Sequence, residues 1–172
     1  MNFQSTTVSL IAGICLCFFG LLAASAEPDP YTPLKLYEGA WQVEISTPEK
    51  KSDHLVNHCA LTGTFFSCEQ ELDGKTAALA IFLPMGHSSA SALEYRTLTI
   101  LPNAAKPGDW GHLVIDGNTW TYSWTQKEGE KTVEMRNVNR FQDHDHIHFD
   151  LQKRGDDGNW KTTLAGDESR TK

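Results

Sequence analysis

Hydrophobic and polar residues alternate along most of the chain after residue 39, in short runs separated by turn-forming residues. The clearest run is TWTYSWT at 119–125, where aromatic and small hydroxyl side chains take opposite faces of one strand. Gly, Asn and Asp cluster between such runs, as in Asp116-Gly117-Asn118. The pattern predicts an all-β domain with strands near residues 40–47, 54–62, 65–72, 75–83, 94–101, 109–116, 118–127, 131–141, 146–153 and 159–167.

A meander of about ten strands with no long helix to cover its edges should close on itself, because closure removes exposed strand edges. The expected architecture is therefore a single antiparallel up-and-down β-barrel; a β-sandwich is the structural alternative, since period-2 patterns do not distinguish one inner face from another. A short helical turn is expected before the first strand. In it Thr32 would cap, Pro33 would take the first helical position and Gly39 would end the turn.

The first 26 residues have the layout of a secretory signal peptide. An apolar run from about Val8 to Ala24 ends in Ala24-Ser25-Ala26, which suits cleavage after Ala26, although no Lys or Arg precedes the run. An uncleaved membrane anchor is the alternative, because the run approaches the roughly 17 residues that span a bilayer. Cleavage would leave residues 27–172 as one domain, secreted or periplasmic.

Two cysteines remain after that cleavage, in HCALTGTFFSC at 58–68. If Gly63 and Thr64 form a two-residue hairpin loop, Cys59 falls opposite Cys68 at a non-hydrogen-bonded pair, where Cα atoms lie about 4.5 Å apart. In an exported chain this favours a cross-strand disulfide. A metal-binding or redox pair is the alternative, but the spacing is not that of a CxxC motif.

The charge balance argues against one class of partner. The 172 residues carry a formal net charge of −7, with no basic stripe. A protein that binds nucleic acid through its phosphates needs clustered Lys and Arg. We therefore expect no nucleic-acid partner, and no stable membrane insertion after signal cleavage.

Three segments carry a resemblance to a known superfamily: YEGAW at 37–41, GNTWTY at 117–122 and DGNW at 157–160. A short turn before Gly39-Ala40-Trp41, followed by a hairpin meander, resembles the calycins, which include the lipocalins and fatty-acid-binding proteins. The likeness is closest to secreted bacterial calycin-like domains of unassigned activity. It implies that Trp41 packs across the closed end of the barrel near a basic residue of the last strand, for which Arg170 has the right place in the chain. Two other segments typical of lipocalins are not recognisable, so no named ligand is implied.

Aromatic side chains on one face of a strand indicate which residues lie inside the barrel. Trp120, Tyr122 and Trp124 would either fill a core or line a cavity, and a barrel of ten strands encloses more space than one of eight. Tyr95 and Thr97 are assigned to the same interior, although their strand has apolar residues on both faces. The other walls of a cavity would come from Trp41, Val43, Leu79, Ile81 and Trp160.

Two arginines have two interpretations each. Arg96 and Arg136 lie two residues from Glu94 and Glu134 on the same strand faces, which favours surface ion pairs. The alternative, suggested by the fatty-acid-binding proteins, is an inward arginine that binds the carboxylate of a ligand; Arg136 is the candidate for that role.

The histidine-rich stretch QDHDHIHFD at 142–150 has a clean alternation. Ile147, Phe149 and Leu151 share one face, while His146 and His148 share the other. The apolar face should be buried, so the histidines should face water. A metal held by His146 and His148 is the weaker alternative, because an outer barrel face does not shelter a metal.

No nucleophile elbow, zinc-binding helix motif or free cysteine of the mature chain points to catalysis. These observations favour an exported, monomeric binding protein without a cofactor, holding a small, largely apolar ligand with or without an acidic head group. The alternatives are a secreted inhibitor or interaction module that uses the loops at 84–91 and 102–109, and, more remotely, a metal-dependent enzyme.

Overall fold

The ten predicted strands are present and form a closed antiparallel barrel. A computed structural model describes residues 29–46, 54–87, 92–105, 108 and 110–171; the predicted signal peptide lies outside them. The strands are β1 (Gly39–Ile45), β2 (Leu55–Thr62), β3 (Phe65–Leu72), β4 (Lys75–His87), β5 (Ala92–Ile100), β6 (Trp110–Asp116), β7 (Thr119–Glu128), β8 (Lys131–Phe141), β9 (His146–Arg154) and β10 (Trp160–Arg170). Each pairs with its neighbours in sequence, and β1 pairs with β10 to close the barrel.

A 3₁₀ helix at Thr32–Tyr37 crosses one end of the barrel and closes it. Its Leu34 is fully buried. The segment before it is also tied to the strands: the Tyr31 hydroxyl donates to the carbonyl oxygen of Phe82 in β4, and the Tyr95 hydroxyl of β5 donates to that of Pro30. The predicted capping is wrong in detail, because Tyr31, not Thr32, is the N-cap residue and no side chain caps the helix.

The predicted hairpin and disulfide are confirmed. Gly63 has a positive φ of 62° between β2 and β3, and Cys59 pairs with Cys68 in the register. A disulfide joins them, with their Cα atoms 4.0 Å apart. Within the described residues, no helix is long and apolar enough to cross a membrane.

Trp41 lies at the closed end, fully buried, opposite Arg170 in the register of β1 and β10. The Arg170 guanidinium carbon lies 4.2 Å from the centre of the Trp41 ring, and its nitrogens donate to the carbonyl oxygens of Leu36, Glu38 and His144. Gly39, which starts β1 with a φ of 119°, leaves room for this arginine, since a Cβ there would lie 2.9 Å from Nη1 of Arg170. One side chain therefore fastens the helix and a loop to the last strand.

Candidate functional site

An interior cavity of about 840 Å³ lies above the closed end. Its floor includes Tyr37, whose ring packs against Trp41 and Trp120 with centroid distances of 5.3 and 5.9 Å. Its mouth is at the opposite end of the barrel, where Leu101 and Lys127 are exposed. A cavity of this volume falls within the range of small-molecule sites.

Of the two interpretations of the aromatic strand, a filled core or a cavity wall, the cavity wall agrees with the structure. Trp120, Tyr122 and Trp124 point inward from successive alternate positions of β7, and all three contact the cavity. The Tyr122 hydroxyl shares a 3.0 Å hydrogen bond with the Thr99 hydroxyl of β5. Aliphatic side chains complete the wall, including Val43, Leu113, Leu151 and Leu164.

Tyr95 and Thr97 also point inward, but they are buried among neighbouring side chains and do not line the cavity. Tyr95 is 1% exposed and Thr97 is fully buried. Thr97 fits beside Gly111 of β6, where an added Cβ would lie 2.6 Å from the Thr97 hydroxyl oxygen and 2.8 Å from Cε2 of Tyr122. The absence of a side chain at Gly111 thus lets the side chains of Thr97 and Tyr122 pack between β5 and β7.

Two residues of β4 that we predict from the sequence to line the cavity lie on the outer face of the barrel instead. Ala78, Ala80 and Phe82 line the cavity, so Leu79 and Ile81 face outward. The sequence of β4 is apolar on both faces, and the alternation could not choose between them. Because Ala78 and Ala80 face inward rather than the larger Leu79 and Ile81, the side chains of β4 fill less of the interior.

Arg136 and Trp160 require a larger correction, because both lie on the outer face. The register of β9 and β10 shifts between Thr162 and Leu164, which turns the first residues of β10 over. Trp160 then faces outward, and the Arg136 guanidinium carbon stacks 4.3 Å from its ring centre. Arg136 also donates to Oε1 of Gln152 at 2.7 Å. The prediction of an inward Arg136 that meets a ligand carboxylate is wrong.

Arg96 follows the same pattern on the other side of the barrel. Its guanidinium carbon lies 4.5 Å from the ring centre of Trp110, on the outer face. The partner predicted for Arg136 in a surface ion pair, Glu134, instead accepts from Arg154 at 2.8 Å.

The histidines of β9 face outward, as predicted. His146 contacts the Asp143 carboxylate and His148 contacts that of Asp167, each at 2.9 Å. Among the residues that the structure describes, no group of three or more His, Cys, Asp or Glu side chains is arranged to hold a metal ion.

Sequence reasoning missed a polar network at the floor of the cavity. Glu168 of β10 is 4% exposed, and its Oε2 accepts from the Tyr37 hydroxyl at 2.6 Å and from Nδ2 of Asn57 at 3.2 Å. Gln70 extends the network by donating to Oδ1 of Asn57 at 3.3 Å. A usable signal was present: Leu164, Gly166, Glu168 and Arg170 continue the alternation of β10 beyond the predicted strand end at 167.

Burial governs the ionisation of this network. Removal from water raises the pKa of the Glu168 carboxyl above its ordinary value, while the hydrogen bonds from Tyr37 and Asn57 oppose that rise. Burial, together with the neighbouring Glu168, raises the pKa of the Tyr37 hydroxyl well above its ordinary value. Tyr37 therefore remains a hydrogen-bond donor throughout the ordinary pH range.

Three buried side-chain atoms have no hydrogen-bond partner within the described part of the chain: Nε1 of Trp120, Oδ1 of Asn137 and Oγ1 of Thr97. Trp120 and Asn137 line the cavity, but these three atoms themselves are covered by neighbouring protein atoms. A buried donor or acceptor without a partner costs free energy, so each of the three lowers the stability of the fold.

The barrel, its order of strands and the helix across one end are consistent with a calycin-like fold. Comparison of the chain with models of known protein families, and with curated protein sequences, finds no match. The function of the chain is therefore inferred from the geometry of the cavity.

Proposed function

We propose that this chain is an exported binding protein of the calycin type that holds a small, largely apolar molecule inside its barrel. The observation that carries the proposal is the cavity of about 840 Å³, which combines aromatic and aliphatic walls with a few polar atoms. Binding sites for small molecules have this composition, because apolar walls supply affinity and isolated polar groups orient the ligand.

The unfilled interior supports the same proposal, since side chains leave the cavity open above Tyr37. A barrel interior that served only as a core would be filled by side chains. Export is supported by the disulfide, which suits an oxidising compartment, and by the predicted signal peptide.

The alternative of an interaction module using both predicted loops has less support. β4 ends at the end of the barrel that the helix closes, while β5 ends at the open end. The strand ends that adjoin the predicted loops at 84–91 and 102–109 therefore lie at opposite ends of the barrel, which does not favour one recognition surface built from both.

Native mass spectrometry of the protein recovered from its own host tests the proposal. A bound ligand should add a few hundred daltons to the native mass and be absent from the denatured mass. The same protein, stripped of ligand, should bind the neutral apolar dye Nile red with a rise in dye fluorescence.

A matched pair of variants ties the dye to the cavity. Ala80→Phe adds a ring to the cavity wall, while Ala60→Phe adds the same ring on the exposed outer face of β2. Ala80→Phe should weaken dye binding several-fold and Ala60→Phe should not. Equal binding by both variants, together with no ligand in the native protein, would contradict the proposal.

A further inference from the structure

The carboxyl of Glu168 is placed at the cavity floor with one oxygen available. Both hydrogen bonds that it accepts end on Oε2, from Tyr37 and Asn57. Within the described residues, Oε1 accepts no hydrogen bond, and Glu168 contacts the cavity. The two donors hold the carboxyl in one orientation, which leaves Oε1 in place to accept a hydrogen bond from a third donor.

No cation of the described chain neutralises this carboxyl. Of the side chains that line the cavity, only Lys127 and Glu168 carry a charged group. Lys127 is seven residues along β7 from Trp120 at the floor, a distance of roughly 23 Å along a strand, and its ammonium donates to the Thr132 hydroxyl. Arg170, two residues from Glu168 on β10, has its guanidinium against Trp41 and backbone carbonyls.

The groups packed against Glu168 from other elements are also without positive charge. Its register partners are Val43 of β1 and Ile147 of β9. Tyr37 of the 3₁₀ helix and Asn57 of β2 complete its surroundings, and Tyr37 is the one titratable side chain among these four residues. A buried carboxylate is costly unless a cation is paired with it, and none of the described residues that contact Glu168 is a cation.

A purely structural role explains part of this arrangement, since the Tyr37 bond ties the helix to β10. A glutamine would provide the same acceptor without the cost of a buried charge. The presence of an ionisable carboxyl, where an amide would suffice, is therefore the feature that requires a function.

We propose that the Glu168 carboxylate is the counter-ion for a protonated amine, so that the barrel selects amphiphiles with an apolar body and a cationic nitrogen. This inference rests on the proposed function and specifies its ligand class. The ammonium donates to Oε1 of Glu168 at the floor, and the apolar body occupies the aromatic part of the cavity toward the mouth. A ligand carboxylate would instead meet a like charge, with no arginine among the described side chains that line the cavity to compensate.

Three probes of equal chain length separate these alternatives: decylamine, decanol and decanoate, each used below its micelle concentration. Each competes with Nile red for the ligand-free protein near neutral pH, and calorimetry measures the affinity directly. The amine should bind about tenfold or more tightly than the alcohol, because a charge-assisted hydrogen bond is stronger than a neutral one. The acid should bind most weakly.

The variant Glu168→Gln keeps an acceptor for Tyr37 and removes the charge. It should lose the preference for the amine, with decylamine affinity reduced about tenfold and decanol affinity changed much less. Glu44→Gln makes the same chemical change on the exposed outer face of neighbouring β1 and should leave all three affinities unchanged.

The pH dependence of the unaltered protein gives a second measurement, should Glu168→Gln not fold. Decylamine keeps its proton across the acidic and neutral range, so its affinity should fall as the pH is lowered and Glu168 becomes protonated, while decanol affinity stays constant.

The outcomes distinguish the two proposals. If Nile red and all three probes fail to bind, the cavity is not a ligand site and both proposals fail. If Nile red binds but the amine shows no preference over the alcohol, or keeps its preference in Glu168→Gln, the amine proposal alone is overturned.

Discussion

The hydroxyl of Tyr37 provides the sharpest test of the floor network, through the variant Tyr37→Phe. The hydroxyl donates to Oε2 of Glu168 at 2.6 Å and accepts from Nδ2 of Asn57 at 3.1 Å, and all three residues belong to different elements. Phenylalanine keeps the ring packed on Trp41 and removes the oxygen. The change therefore isolates the hydrogen bonds from the aromatic contacts.

The expected loss depends on pH. A hydrogen bond to a charged group contributes about 1.5–3 kcal/mol, and a neutral one contributes about 1 kcal/mol. The pKa of Glu168 is raised in the folded state, so the stability associated with its protonation is fully present below its unfolded pKa and is lost as the pH rises through the folded pKa. Loss of the Tyr37 donor raises the folded pKa of Glu168 further, so the variant loses more stability over this rise in pH than the unaltered protein does.

The destabilisation by Tyr37→Phe should thus be about 1 kcal/mol below pH 4 and grow to about 1.5–3 kcal/mol by pH 8. Urea unfolding at both pH values, with the ligand removed, measures the difference. Tyr95→Phe is the matched control, since its buried hydroxyl donates to the neutral carbonyl of Pro30 at 2.6 Å. Its cost should stay near about 1 kcal/mol at both pH values. A Tyr37→Phe cost that does not change with pH would refute the assignment of a buried, ionisable Glu168.

Three further expectations concern the frame of the barrel, each measured by urea unfolding. Replacement of both cysteines by alanine should lower the free energy of unfolding by about 2.6 kcal/mol, from the chain-entropy cost of a nine-residue separation; an unchanged midpoint would contradict it. Gly166→Ala should cost about 2 kcal/mol or more, because a Cβ there overlaps a backbone carbonyl of β1 and lies 2.7 Å from a buried phenylalanine ring. Gly155→Ala meets first an exposed aspartate side chain and should cost clearly less; equal costs would refute the packing argument. Arg170→Lys loses the planar guanidinium fork and should cost about 1–3 kcal/mol, whereas Arg140→Lys on an exposed ion pair should cost under about 1 kcal/mol; similar costs would contradict the role assigned to the fork.

Local patterns predicted the fold because each strand of a meander pairs with its neighbour in sequence. Once Gly63 fixes the loop of the first hairpin, the pairing of Cys59 with Cys68 follows by counting along both strands. The same reasoning placed Ile147 and Phe149 inside and His146 outside, since their faces differ sharply in polarity. Short-range information is enough wherever one face is polar and the turn is explicit.

The cavity walls were harder to predict, for reasons that particular residues make clear. In β4 both faces are apolar, so the register with β3 and β5, not polarity, decides that Ala80 is inside and Ile81 outside. In β10 a register shift near Thr162 reverses the face of Trp160, and no turn residue marks it in the sequence. An extrapolated alternation fails at such a shift, because every residue before it changes sides.

The sign of the charge at the cavity floor depends on a contact between residues far apart in the sequence. Glu168 and Tyr37 are 131 residues apart, and they meet because β10 closes the barrel against β1, just after the helix that contains Tyr37. Glu168 follows another acidic residue, Asp167, on the last strand, and nothing in the sequence distinguishes it as buried. Arg136, on a hairpin rich in aromatic residues, instead has the appearance of a ligand-binding group in the sequence. Closure of the barrel buries the carboxyl of Glu168 at the cavity floor. The register shift in β10 places the indole of Trp160 on the outer face of the barrel, where the guanidinium of Arg136 stacks on it. The acidic head group that the resemblance to fatty-acid-binding proteins suggests is therefore not what we propose: the positions of these two charged side chains lead us to propose a cationic one.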